Sequence, residues 1–320
     1  MSPLARTWLR RIALGLPLTA ITPLVGCSSG GTSSCAGFTP SERTEHFEVD
    51  ELTRLRLTTD AGTGGSGCSE VCGDLDRARD GGPGAGFSSP VCDIVLADGG
   101  EVLECTFRTI CRGRPPAGLL AARGDAGTAI GAFLASAAHL EAASVPAFLD
   151  LARELALHGA PRALHDAAVR SARDEVRHAR AMAGLASMAR AAVPAVMRGP
   201  TAPRSFVAMA EDNAIHGCTG EAHAALVAAF QAEHASDPTL RAVWSEIARD
   251  EARHALLSAS IHDHAIERLG ARDARRIEDL RRSAIDTLAR ASEREDAREV
   301  RAAMSLPDAD RAVELARALS

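Results

Sequence analysis

From about residue 127 to residue 269, apolar positions recur three and four apart, in runs broken at His158-Gly159-Ala160-Pro161, at residues 194–205 and at Asp237-Pro238. That period predicts four long helices, near 127–157, 161–190, 205–235 and 238–269. The break between the second and third is the longest. Short connections make antiparallel neighbours, and one long connection lets the chain cross a bundle. Beyond Gly270 a mixed-charge run predicts a solvated helix packed outside the four. Upstream, the stretch VCDIVLADGGEVLECTFRTI places two β-prone runs on either side of Asp98-Gly99-Gly100, the pattern of a hairpin. The predicted fold class is mainly α: a four-helix bundle preceded by a small disulfide-rich β module and followed by extra C-terminal helices.

The apolar stripes are interrupted by acids at one level. On the second helix the stripe runs Leu164, Ala168, Ser171, Glu175, His178, Met182, Leu185; on the fourth it runs Leu240, Trp244, Ile247, Glu251, His254, Ser258, Ile261. Positions three and four apart share a helix face, so each of these helices carries Glu and His in the stripe that otherwise faces the core. The first helix adds Glu141 between Ala137 and Ser144, and the third adds Glu221 between Cys218 and Ala225. Four carboxylates and two imidazoles thus converge. An isolated buried carboxylate costs several kcal/mol or takes up a proton, so the group demands a counter-charge. The chain has no Lys, and Arg173, Arg177, Arg249 and Arg253 fall off the stripe. Metal cations are the economical answer.

The octet ARDEVRHA at 172–179 returns as ARDEARHA at 248–255, with only Val176 exchanged for Ala252. One Glu-x-x-His spacing is expected by chance in a chain of this composition; two in the same octet, at the same phase of a core stripe, are not. Two Glu-bearing helices alternating with two Glu-x-x-His helices resemble the ligand pattern of the ferritin-like di-metal carboxylate proteins, and resemble the bacterioferritin and rubrerythrin type most. The likeness spans residues 127–269. It implies a site for two iron or two manganese ions, with Glu141 and Glu221 as terminal ligands, Glu175 and Glu251 as bridges, and one metal each for His178 and His254. It also implies that Asp174 and Asp250 accept the other ring N–H of the His on the opposite helix. Departures are plain: the chain has no Tyr, which argues against a radical-generating subunit, and it lacks C-terminal rubredoxin-type Cys pairs.

Other candidates carry blander readings. Cys218 lies one turn before Glu221 and fits as a small core residue; Trp244 fits as packing. His139 and His223 sit two positions from a ligand Glu, on the wrong side of the helix. His262 and His264 are expected at the surface or on an access path.

Composition adds a compartment. A basic start (Arg6, Arg10, Arg11), an apolar stretch from Ile12 to Val25 and then Leu24-Val25-Gly26-Cys27 resemble a bacterial lipoprotein signal, with cleavage before Cys27 and lipidation of its thiol. Residues 1–26 would be the signal and 27–40 the lipidated Cys and a flexible tether. Residues 41–118 would form the Cys-rich module, 119–270 the bundle and 271–320 the helical extension. In an exported chain Cys35, Cys68, Cys72, Cys92, Cys105 and Cys111 read as up to three disulfides of open connectivity. The net charge of −6 and 3% aromatic content exclude a nucleic-acid reader. The expected partners are the membrane, through the lipid, and O2 or peroxide; protein partners are not legible. The sequence leans to a di-metal oxidoreductase of the cell envelope, facing the periplasm or exterior. A bundle whose metal is only structural, or a metal storage or delivery protein, are the alternatives.

Overall fold

The computed structural model describes residues 3–16, 42–48, 87–97, 100–109, 114–120, 126–292 and 298–320. The chain is mainly helical. Its first helix is α1 (Pro3–Ala13). Strands β1 (Glu42–Glu48), β2 (Phe87–Ala97) and β3 (Gly100–Thr109) form one antiparallel sheet in the order β1-β3-β2. Ala97 is the register partner of Gly100, as the expected hairpin requires. The polar run of β1 carries no alternation of its own and takes its place only through pairing with β3.

Of the expected cysteine features, Cys27, Cys35, Cys68, Cys72 and Cys111 and the tether lie outside the described residues. Among the described residues no disulfide is seen. Cys92 and Cys105 are register partners across the β2–β3 ladder.

The four expected helical segments appear within a few residues of their expected bounds, each started by local chemistry. In α2 (Ala129–Leu157), the Thr128 hydroxyl accepts from the Gly131 amide at 3.0 Å. Gly159, at φ +67, turns the chain into α3 (Arg162–Met188). Arg190, at φ +55, ends α3 and begins the long connection. Ser205 caps α4 (Phe206–Asp212), accepting from the Ala208 amide at 3.2 Å. α4 continues through a π-helical segment (Asn213–Glu221) into α5 (Ala222–His234). Asp237 caps α6 (Pro238–Arg268), with Pro238 in the first turn, where its missing N–H is no loss. α7 (Ala271–Ser292), α8 (Arg298–Met304) and α9 (Ala309–Arg317) follow.

α2 packs along α3, α6 packs along α5 and the π-helical segment, and α3 meets α6. Alanine dominates these contacts: Ala138, Ala143, Ala168, Ala172, Ala225, Ala252 and Ala255 are all buried. Small side chains let helix axes approach to the short end of the usual 8–10 Å. By length and composition α2 could cross a membrane, yet it carries Glu141 and Glu154 and buries its apolar side within the protein. α7 keeps the charged, exposed face that the C-terminal expectation gave it, with Arg272, Arg275, Arg276, Asp279 and Arg282 in solvent, and packs through an apolar edge of Ile277, Ile285, Leu288 and Ala289, over which the segment bearing Leu315 and Leu319 closes. The mixed charge had masked an apolar edge at helical spacing. α1 also packs, burying Ala5, Leu9 and Ile12 against α6 and α5, with Arg6 paired to Asp263 at 2.7 Å.

The register makes one bridge testable. Direct partners in an antiparallel pair have Cα atoms about 4.5–5.5 Å apart, within disulfide range. Peptide mapping of unreduced protein should recover Cys92 joined to Cys105; a different pairing of both would show that the ladder does not set the connectivity.

Candidate metal centre

Glu141 comes from α2, Glu175 and His178 from α3, Glu221 from the last position of the π-helical segment, and Glu251 and His254 from α6. The structure brings all six together. They form two overlapping groups, Glu141–Glu175–His178–Glu251 and Glu175–Glu221–Glu251–His254, and in each the ligand atoms lie within 4.8 Å of one another. Glu175 and Glu251 belong to both. Nδ1 of His178 lies 3.4 Å from Glu141 Oε2 and 3.4 Å from Glu251 Oε1. Nδ1 of His254 lies 3.0 Å from Glu175 Oε1 and 3.6 Å from Glu221 Oε2. The far ring nitrogens are engaged across the helix pair: His178 Nε2 donates to Asp250 Oδ2 at 3.1 Å, and His254 Nε2 to Asp174 Oδ2 at 3.3 Å. Each Asp thus meets the His of the other octet.

Five buried atoms facing this space have no hydrogen-bond partner: Nδ1 of His178, Nδ1 of His254, both Glu221 oxygens and Glu251 Oε2. Buried polar atoms rarely go unsatisfied, and here the unsatisfied atoms are all lone-pair donors of metal-ligand type. The residues therefore fit a metal centre. Glu141 alone has an accessible side chain, at 21%, against 5% or less for the other five. The group is sealed except on the α2 side.

Protons share the charge of this group. Burial and the negative charge of Glu251 push Glu221 up to about 8. The same two causes raise Glu175 well above the carboxylate range. Burial would also raise Glu251, but the imidazoles of His178 and His254 beside it outweigh burial and hold that carboxyl low. Burial opposes charge on both imidazoles; the surrounding carboxylates overcome it and raise both well above 6.5.

Local sequence does not explain the π-helical segment, but its surroundings do. Arg114, from the strap before α2, is 1% exposed. It donates from Nη1 to Asp212 Oδ2 at 2.8 Å and from Nη2 to Asn213 Oδ1 at 2.9 Å and Ser258 Oγ at 3.4 Å. A Cβ on Gly217 would collide with that guanidinium, with Ser258 Oγ and with Asn213 Oδ1. Gly217 is thus the gap into which Arg114 fits. The widened turn lets Thr219 Oγ1 donate to Ala214 O at 3.1 Å, five residues back, and it ends on Glu221. Arg114 also lies 5.6 Å above the Phe148 ring, which is 4.9 Å from the His254 ring. Sequence pattern missed this residue because it lies outside every helix; the Gly217 gap was the one visible signal.

The remaining candidates stand apart from the two groups. Cys218 is buried, a free thiol whose Sγ donates to Ser258 O at 3.4 Å, and burial pushes it up to about 11. His139 Nδ1 contacts Pro194 O at 3.1 Å, and His223 is buried in α5. His262 is not at the surface as expected: α7 covers it, and its Nε2 meets Glu278 Oε1 at 2.6 Å. His264 meets Phe206 edge-on, and Trp244 is core packing. Compared with models of protein families, with curated proteins and with solved structures, the chain matches none.

Two measurements check this account. Gly217→Ala should lower stability by about 1–3 kcal/mol in chemical denaturation, the usual range for overpacking. Cys218 should resist alkylation at pH 8 in the folded protein and react on unfolding, because its raised pKa leaves the thiolate scarce.

Proposed function

We propose that the four helical segments form a ferritin-like bundle that binds two iron or two manganese ions, and that the protein is an exported, lipid-anchored di-metal oxidoreductase using O2 or peroxide. The observation that carries the reading is the sharing of Glu175 and Glu251 between two ligand groups, each completed by one terminal Glu and one His. Glu141 and His178 would complete one ion's shell, and Glu221 and His254 the other's. When bound, such a pair supplies one electron from each metal, so that an oxidant takes two electrons without a protein radical. The absence of Tyr from the chain agrees with that economy.

The chain's own residues define the rest. Asp250 and Asp174 hold the imidazoles with Nδ1 toward the acids, a role that raises ligand basicity. Five of the six side chains are 5% exposed or less, so water is largely excluded from the group. The partly exposed Glu141 marks the side from which ions and a small oxidant reach the interior. The lipobox-like Leu24-Val25-Gly26-Cys27 supports placing this chemistry in the cell envelope, outside the cytoplasm. A second reading draws on the near-complete sealing of the group: the metals could serve only as a staple of the helices.

The experiment loads purified protein with Fe2+ without air, counts metal and then admits O2. Two irons per chain, a ferric absorption and O2 uptake above buffer support the oxidase; two irons with neither response leave the staple. Glu175→Ala and Glu251→Ala should each abolish binding of both ions, whereas Glu221→Ala should spare one. Wild-type stoichiometry in both bridging variants would defeat the site. Affinity should rise between pH 6 and 8. Glu221, at about 8, holds a proton in the metal-free site at neutral pH, and a cation must displace it. Proton release on loading, followed with an indicator in weak buffer, checks the sign.

A further inference from the structure

Glu141 and Glu221 take matching places in the two ligand groups, yet the helices that carry them are built differently. Glu141 stands in α2, which is α-helical throughout. Glu221 closes the π-helical segment, and that segment is tied to α6 at Ser258, one turn beyond His254. Asn213 Nδ2 donates to Ser258 O at 2.8 Å, and Cys218 Sγ donates to the same oxygen at 3.4 Å. Arg114 secures the tie: its Nη2 bridges Asn213 Oδ1 and Ser258 Oγ, while its Nη1 holds Asp212, the residue before the segment. Arg204 Nη1 holds Asp212 from the other side at 2.6 Å, and Arg204 Nη2 donates to Glu154 of α2 at 2.8 Å. Pro115-Pro116 stiffens the strap directly after Arg114.

We infer that Arg114 is a positioning residue for Glu221: by filling the gap at Gly217 and holding Asn213 against Ser258, it keeps the turn wide and so sets Glu221 opposite His254. This inference rests on the di-metal reading above. A π turn carries one more residue than an α turn. Rewinding the segment as α would therefore move Glu221 by about one residue place, roughly 100° round the axis and 1.5 Å along it. Its Oε2, now 3.6 Å from His254 Nδ1, would leave the group. Without the guanidinium, the space beside Gly217 is a cavity that the tighter turn would close, and an unfilled cavity is costly. Arg114 thus removes the advantage of the α-helical path. Glu141 needs no such aid, because α2 delivers it on a regular helix. The two groups are accordingly unequal: the one with Glu221 and His254 depends on a residue from the strap before α2, and the one with Glu141 and His178 does not.

The test uses the full chain, with Co2+ as probe because its visible spectrum reports ligand geometry. Five proteins are compared: wild type, Arg114→Met, Arg114→Lys, Gly217→Ala, which displaces the guanidinium from the opposite side, and Glu221→Ala as the reference for a lost ligand. Circular dichroism and a cooperative melt establish folding of each, and Gly217→Ala decides the matter if Arg114→Met does not fold. Amide hydrogen exchange of the peptide spanning 213–221 is followed in metal-free protein. Arg114→Met and Gly217→Ala should bind one Co2+ as wild type does and the second about tenfold to a hundredfold more weakly, with the spectrum of Glu221→Ala. Exchange should quicken in 213–221 but not in α2 or α3, and Arg114→Lys should recover part of both losses. Two ions bound with wild-type affinity and spectrum would overturn the proposal, and so would equal weakening of both, which marks a residue that only supports the bundle. If wild type binds no Co2+, the metal reading fails by itself: faster exchange confined to 213–221 then upholds the hold of Arg114 on the turn, and unchanged exchange overturns it.

Discussion

Carboxylates a few ångströms apart in a helical interior repel one another, and burial strips them of the water that would soften the repulsion. Glu175, Glu221 and Glu251 are in that position, with Glu141 at the rim. Everything around them answers to this constraint. His178 and His254 insert between the acids, and Asp174 and Asp250 grip the rings from behind. Alanine is what the neighbouring positions can accommodate, since a larger side chain would drive apart the helices that must bring the acids together. The capped helix starts at Thr128, Ser205 and Asp237 fix where each helix begins, and so the height at which its acid stands.

The core of this arrangement was legible because it is written at helical spacing. The apolar stripes located Glu141, Glu175, His178, Glu221, Glu251 and His254 on one face each, and turn residues at Gly159 and Asp237-Pro238 marked the helix ends. What stayed hidden depends on partners far along the chain. The π-helical turn at 213–221 needs Arg114, about a hundred residues earlier, to fill the space Gly217 leaves. Arg177 looks like a solvated residue on its own helix; only the approach of α6 brings Asp250 within its reach. His262 looked exposed for the same reason, before α7 covered it. The β1 strand, polar except for Phe47, has no signature apart from its pairing.

The single difference between the octets has a physical cause in the packing. Ala252 is fully buried in the main core cluster, on a helix that α5 packs against along its length. Val176, its counterpart on α3, is only partly covered and has room for its branches. The two helices therefore share their chemistry inward and differ outward: α6 is enclosed, and α3 has an open flank.

Crossing defines this pair of helices. Asp174 serves the ring of α6, Asp250 serves the ring of α3, and each shared Glu belongs to both ligand groups. Neither helix can furnish a complete group alone. A slip of one helix past the other by a single turn, about 5.4 Å, would undo both groups at once and leave no intermediate in which one survives. The cluster is thus a gauge of helix register: cations filling the two groups would do so only when α3 and α6 are aligned, and so would select that alignment over every neighbouring one.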